Sequence, residues 1–269
     1  MMKRLTCLVA LLLAVAGTGT QSLASGGRDL RLEPAPVNRL DAESLQRGAR
    51  TFVNYCLNCH SAKYMRYNGL KDIGIELPLV EENLMFATDK VGNTMTVAMS
   101  SADSKLWFGT PPPDLTDEAR VRGADWLYNY FMGFYQDESA PSGWNNLVFP
   151  NVAMPHVLYG LAGTNKLVRN EYDQHEAALT AATALKGVVL VEPAKGGKYA
   201  VSSLASDGPG TLNPTQYRAF VADLVNFLDY MGEPVRNKRI HIGLVVMLYL
   251  VVLFVFVYLT KREYWKDLH

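Results

Sequence analysis

Apolar positions follow three patterns along this chain: an unbroken run near each end, helical stripes in the middle, and one alternating stretch. The first run, residues 5–17, is 13 long, too short to cross a bilayer comfortably. The second, residues 240–259, is 20 long with no Asp, Glu, Lys or Arg. At 1.5 Å per residue it spans about 30 Å, one hydrocarbon core. Between them, Leu45, Ala49, Phe52 and Cys56 recur at helical spacing behind Asp41, a potential N-cap. That helix should end near Cys56. Leu127, Tyr130, Phe131 and Phe134 mark a second helix with Gly133 inside it. A third carries the stripe Phe220, Val221, Leu224, Phe227, Leu228 and Met231. Asn213 would cap it, with Pro214 at its first position and Gln216 at its third, and Gly232 and Pro234 would stop it.

The remaining segments are less regular. Residues 25–36 are polar with Gly and Pro, and read as an extended arm. Residues 67–110 have no sustained period and read as loops with short helices. Thr110-Pro111-Pro112-Pro113-Asp114 is a rigid turn, and residues 139–155 are irregular. Residues 188–192 and 198–202 flank Lys195-Gly196-Gly197 and predict a small hairpin. There is no internal repeat.

The two apolar runs decide the compartment. Lys3 and Arg4, the run behind them and the small residues of Ser22-Leu23-Ala24 read as a secretory signal cleaved after Ala24. The competing reading is an uncleaved N-terminal anchor. Cys7 would leave with the signal, so the exported chain keeps Cys56 and Cys59. The second run reads as a transmembrane helix, with Tyr264 and Trp265 at its far interface. Arg236, Lys238 and Arg239 precede it and Lys261, Arg262 and Lys266 follow it, so flanking charge does not orient it. The signal does. The expected organisation is residues 1–24 signal peptide, 25–235 exported domain, 236–260 transmembrane anchor and 261–269 short cytoplasmic tail.

Composition narrows the function. With 269 residues there is ample material for a core. Lys+Arg and Asp+Glu are 26 each, so no basic excess suggests a nucleic-acid partner. Residues 25–235 hold 24 acidic and 18 basic side chains, a net −6. Such a surface can steer a basic soluble partner, or simply keep the domain soluble.

Cys56-Leu57-Asn58-Cys59-His60 is C-x-x-C-H, the attachment sequence for c-type haem. Two thiols three positions apart on a helical turn can both form thioethers with the haem vinyl groups, and the adjacent imidazole reaches the iron. A thioredoxin-like pair would follow a strand in a βαβ pattern, and this motif follows an amphipathic helix. A zinc site wants four ligands, and the exported chain has no further cysteine. One motif means one haem. Its sixth ligand is open among several residues. Met154 lies in Phe149-Pro150-Asn151-Val152-Ala153-Met154-Pro155, where the following proline favours extended backbone. Met95 and Met99, four apart, would share a helical face. His156 is a further candidate, while Met231 sits on a helix stripe as core.

These segments, in this order, resemble the cytochrome c1 family in its bacterial form. The resemblance runs through Gly48-Ala49-Arg50, the motif with Ser61, Tyr64-Met65-Arg66-Tyr67, Pro112-Pro113-Asp114-Leu115-Thr116 and the Met154 loop. It continues through Asp223-Leu224-Val225-Asn226-Phe227-Leu228 and Met231-Gly232-Glu233-Pro234 to the basic-flanked anchor. It implies a mostly α c-type cytochrome domain with long inserted loops and a small hairpin, plus one C-terminal transmembrane helix. It implies haem c on Cys56 and Cys59, axial ligands His60 and Met154, and Arg120 paired with a haem propionate. It implies no catalysis by the chain alone, and electron transfer from a Rieske iron–sulfur protein to a soluble or tethered cytochrome c. Cytochrome b and membrane lipid would be its other neighbours, with the haem domain on the periplasmic side of the bacterial inner membrane. An independent tethered cytochrome, or a haem subunit of a terminal oxidase, is the competing expectation. Residues 161–210 receive no role.

Overall fold

The computed structural model describes residues 29–266; the expected signal peptide with its cleavage point, and Cys7, lie outside them. In chain order the elements begin with β1 (Asp29–Arg31), α1 (Ala42–Thr51), β2 (Ala62–Arg66), α2 (Leu77–Asn83), β3 (Thr94–Met95) and α3 (Ser101–Phe108). Next come α4 (Glu118–Arg122), α5 (Ala124–Met132), β4 (Phe134–Gln136), β5 (Trp144–Asn146), α6 (Tyr159–Ala162), β6 (Gly163–Tyr172) and α7 (His175–Ala184). The order closes with β7 (Val189–Pro193), β8 (Tyr199–Pro209), α8 (Pro214–Gly232) and α9 (Arg236–Tyr264). Helices make up about half of the described residues.

The core is built on α8, with α1 and α5 packed against it. Asn213 and Gln216 form the capping box at its start, as the spacing predicts. Its stripe is buried except for Phe220, which lies half-exposed with the edge of Tyr55 6.0 Å away. Asp41 caps α1 by accepting from the Ser44 amide. Where α1 crosses α8 the backbones nearly touch. A β-carbon at Gly48 would lie 2.1 Å from the Asp223 carbonyl oxygen and 2.6 Å from Phe227 Cβ. Arg47 pairs with Asp223 at 2.6 Å, and Asn226 donates to the Asn38 carbonyl and to Ser44, which locks the crossing in register.

The second helix is shorter than its pattern predicts. Gly133 closes α5, and Phe134 opens β4. The cause is Asn146 on β5, which donates to the Tyr130 carbonyl at 2.8 Å and accepts from the Val148 amide. A side chain thus takes over the carbonyl bonding that another helical turn would supply.

The predicted hairpin is real but belongs to something larger. β7 and β8 are the middle of a four-stranded antiparallel sheet in the order β1-β7-β8-β6. Residues 163–209 therefore have a role in the fold, which sequence reading withheld. Ala178 and Ala182 of α7 pack on Val189, Val191 and Val201 as a second small core. The extended arm supplies the edge strand β1. Its Glu33 accepts from Arg218 and from the Gly187 amide, and these contacts hold the carboxyl below its ordinary range although burial alone would raise it.

Met95 lies in β3, fully buried, so it does not share a helical face with Met99. At the C-terminus, α9 is 29 residues long and exposed throughout, and is long and apolar enough to cross a membrane. It is the one such helix among the described residues.

Candidate haem centre

The last turns of α1 set the cysteines. The helix widens over Phe52–Cys56, where the Leu57 amide reaches back five residues to the Phe52 carbonyl at 3.0 Å. The Cys59 and His60 amides then both donate to the Cys56 carbonyl, at 3.0 and 2.9 Å. The two thiols are free. Burial, and secondarily the Cys59 thiol, push Cys56 up to about 12. The site thus disfavours a thiolate, whereas a thioether carries no ionisable proton and meets no such penalty.

His60 leaves the helix and its Nδ1 lies 2.8 Å from the Pro113 carbonyl oxygen. A carbonyl only accepts, so Nδ1 carries the proton and Nε2 keeps its lone pair. Burial holds the imidazole below its ordinary pKa despite that bond and the charges of Glu118 and Asp114, so the neutral, ligand-competent form is favoured. The proline turn is tied to the residues behind the motif. Leu115 donates its amide to the Ser61 carbonyl at 2.9 Å, and Asp114 accepts from the Lys63 amide at 2.8 Å and the Thr116 amide at 3.0 Å. Sequence reading found this turn but not the carbonyl it aims at the histidine.

Met154 lies in irregular backbone three residues after Asn151, whose φ of +60° is the only positive value at a non-glycine among the described residues. Asn145 steadies that turn by accepting from the Asn151 amide at 2.8 Å. The half-buried Met154 Sδ receives the Tyr130 hydroxyl at 3.4 Å. Tyr130 stacks on Trp126 at 5.0 Å and 11°, and burial raises its phenol well above the ordinary range. Sequence reading treated Tyr130 only as helix core.

The other candidates are placed differently. His156 is buried and stacks flat on Phe134 at 4.7 Å; burial pushes it down to about 4. Met95 is buried in β3, and Met99 is half-exposed. Arg120 is exposed on α4, its stem lies against Gly232, and its guanidinium makes a long 3.5 Å contact to the Gly232 carbonyl.

Taken by their chemistry, these residues fit a c-type haem. They offer two free thiols on one turn, a neutral imidazole with Nε2 available and a thioether outside regular structure. The Tyr67 hydroxyl is also buried with no hydrogen-bond partner among the described residues, a donor open to a polar group. Among those residues no three His, Cys, Asp or Glu side chains converge as ligands of one ion.

The model of the cytochrome C1 family matches residues 33–178 and 202–268. The gap between these stretches takes in the end of α7, all of β7 and the start of β8. Cytochrome c1 of Allochromatium vinosum is 44% identical over 269 residues, all of both chains. A protein of Nitrosomonas europaea named ammonia monooxygenase gamma subunit is 43% identical over 245 residues, 91% of this chain and 92% of that one. Cytochrome c1 of Rhodospirillum rubrum is 22% identical over 289 residues, 98% of this chain and 97% of that one. With a family match over most of its length and a relative aligned from end to end, the chain belongs to the cytochrome c1 family.

Proposed function

We propose that this chain carries one covalent haem c and passes electrons singly from a Rieske iron–sulfur protein to a cytochrome c within a cytochrome bc1 complex. Its family makes it an electron-transfer haem protein. The bound haem would supply a one-electron iron couple. Cys56 and Cys59 would hold it through thioethers, and His60 Nε2 and Met154 Sδ would be the atoms offered to its iron. Arg120, with most of its guanidinium donors uncommitted among the described residues, pairs with a propionate. Ligation by a thioether rather than a second imidazole favours the reduced state and so a higher potential. The observation that carries this reading is the 2.8 Å bond from His60 to the Pro113 carbonyl, which fixes the tautomer that a metal ligand needs.

The apolar α9 fits a membrane-anchored protein. In this reading it lies against cytochrome b and lipid, with the haem domain on the periplasmic side and residues 261–269 in the cytoplasm. The test is purification of the tagged full chain from membranes. Cytochrome b and a Rieske protein should copurify in fixed proportion. Recovery alone, or with the subunits of a terminal oxidase, would put the chain elsewhere.

A further inference from the structure

Glu118, Arg122, Trp126 and Tyr130 are spaced by four, from α4 into α5, and their side chains form one continuous file. Glu118 pairs with Arg122 at 2.7 Å. The Arg122 guanidinium lies 4.4 Å from the Trp126 ring centre and 5.5 Å from that of Phe149. Trp126 stacks on Tyr130, and Tyr130 ends the file with its hydroxyl on Met154 Sδ at 3.4 Å. Phe131 and Phe134 set their rings edge-on to Tyr130 at 5.6 and 5.1 Å, and its carbonyl is taken by Asn146. The phenol is therefore held among three rings on an anchored backbone, while methionine has three rotatable bonds and a loop backbone.

We propose that Tyr130 is a positioning residue for the axial methionine: its hydroxyl engages one lone pair of Met154 Sδ and orients the other for the iron. The idea rests on Met154 being the axial ligand. Two effects follow from one bond. The thioether is confined to one orientation by a rigid donor instead of by general packing. The sulfur also shares density with the phenol proton and donates less to the metal. A weaker donor stabilises the electron-poor oxidised iron less, so the hydrogen bond raises the potential. The file behind Tyr130 keeps the donor in place, from an ion pair near the surface through two stacked rings.

The test compares Tyr130→Phe with Tyr128→Phe in the purified full-length holoprotein. Tyr130→Phe keeps the ring and its stacking and deletes only the donor; Tyr128 is a buried tyrosine on the same helix without that contact. The expected result is a midpoint potential shifted downward in Tyr130→Phe, with the red-edge band of methionine ligation retained but displaced. Melting temperature should change little, and Tyr128→Phe should match wild type. An unmoved potential and band in Tyr130→Phe overturn the proposal, as does a lowered melting temperature with an unmoved potential. An equal shift in Tyr128→Phe also overturns it, because the cause would then be the polarity of the helix. Met154→His separates the premise: if the band persists there, the methionine ligation itself is wrong.

Discussion

At His60, the carbonyl of Pro113 decides which nitrogen holds the proton, and a turn with three consecutive prolines holds that carbonyl. The imidazole's orientation is therefore set by a segment more than fifty residues away, through backbone atoms that no substitution at position 113 would delete. The cysteines are simpler to remove. In Cys56→Ala plus Cys59→Ala, no haem should survive acid–acetone extraction of the protein, whereas wild type keeps it; haem remaining covalently bound would sink the attachment. The motif was legible because its spacing is itself the chemistry. Met154 was legible in part, because the following proline and the absence of a period marked it as unlike the packing methionines. Tyr130 was not, since a tyrosine on an apolar helical stripe looks the same whether its hydroxyl meets sulfur or another partner. The four-residue spacing from Glu118 to Tyr130 was the available sign. It crosses the break between α4 and α5 at Gly123, so it belongs to no single helix.

Among the elements, the crossing of α1 on α8 has least room for change. The atoms facing Gly48 are a backbone carbonyl and a β-carbon, neither the free end of a flexible side chain. Overpacking of a core costs about 1–3 kcal/mol, and this site belongs at the upper end. For a domain of this size about 3 kcal/mol corresponds to roughly 6–12 °C. Gly48→Ala should lower the melting temperature by that order and loosen the turn bearing Cys56. An unchanged melt would show that the helices can separate at no cost. The helices of the core were readable from periodicity and caps, because their stripes face one apolar layer and their ends carry local signals. The sheet was not. β1 pairs with a strand more than 150 residues away in sequence and β6 with one 27–46 residues away; β1 is only three residues long, and the alternation of β6 is masked by Gly and Asn positions. Only the hairpin between β7 and β8, closed by a local Gly-Gly turn, announced itself.

For the whole molecule, charge and reach govern what can approach. Glu81 and Glu82 close α2 on an exposed face, with Asp72, Glu76 and Asp89 exposed nearby in the chain. Exposed charges act over about 8 Å at physiological salt, so they should govern encounter more than transfer within the complex. Reversing Glu81 and Glu82 to Lys should slow reduction of a basic cytochrome c at low salt, and the gap should close as salt rises. Stopped-flow rates that are equal at low salt would place the docking face elsewhere.

The joint between α8 and α9 is residues 233–235, three positions that at full stretch reach about 10 Å. It is also pinned, by Glu233 with Arg239 at 2.6 Å and by Arg39, which grips both Asp229 and the Glu233 carbonyl. With α9 set in a bilayer, a redox domain on so short and pinned a leash would keep a nearly constant altitude above it. It cannot commute between a donor and an acceptor that stand farther apart than its leash allows. Under the proposed function, a gap between donor and acceptor wider than that would have to be closed by their own travel, with this protein as the fixed station between them.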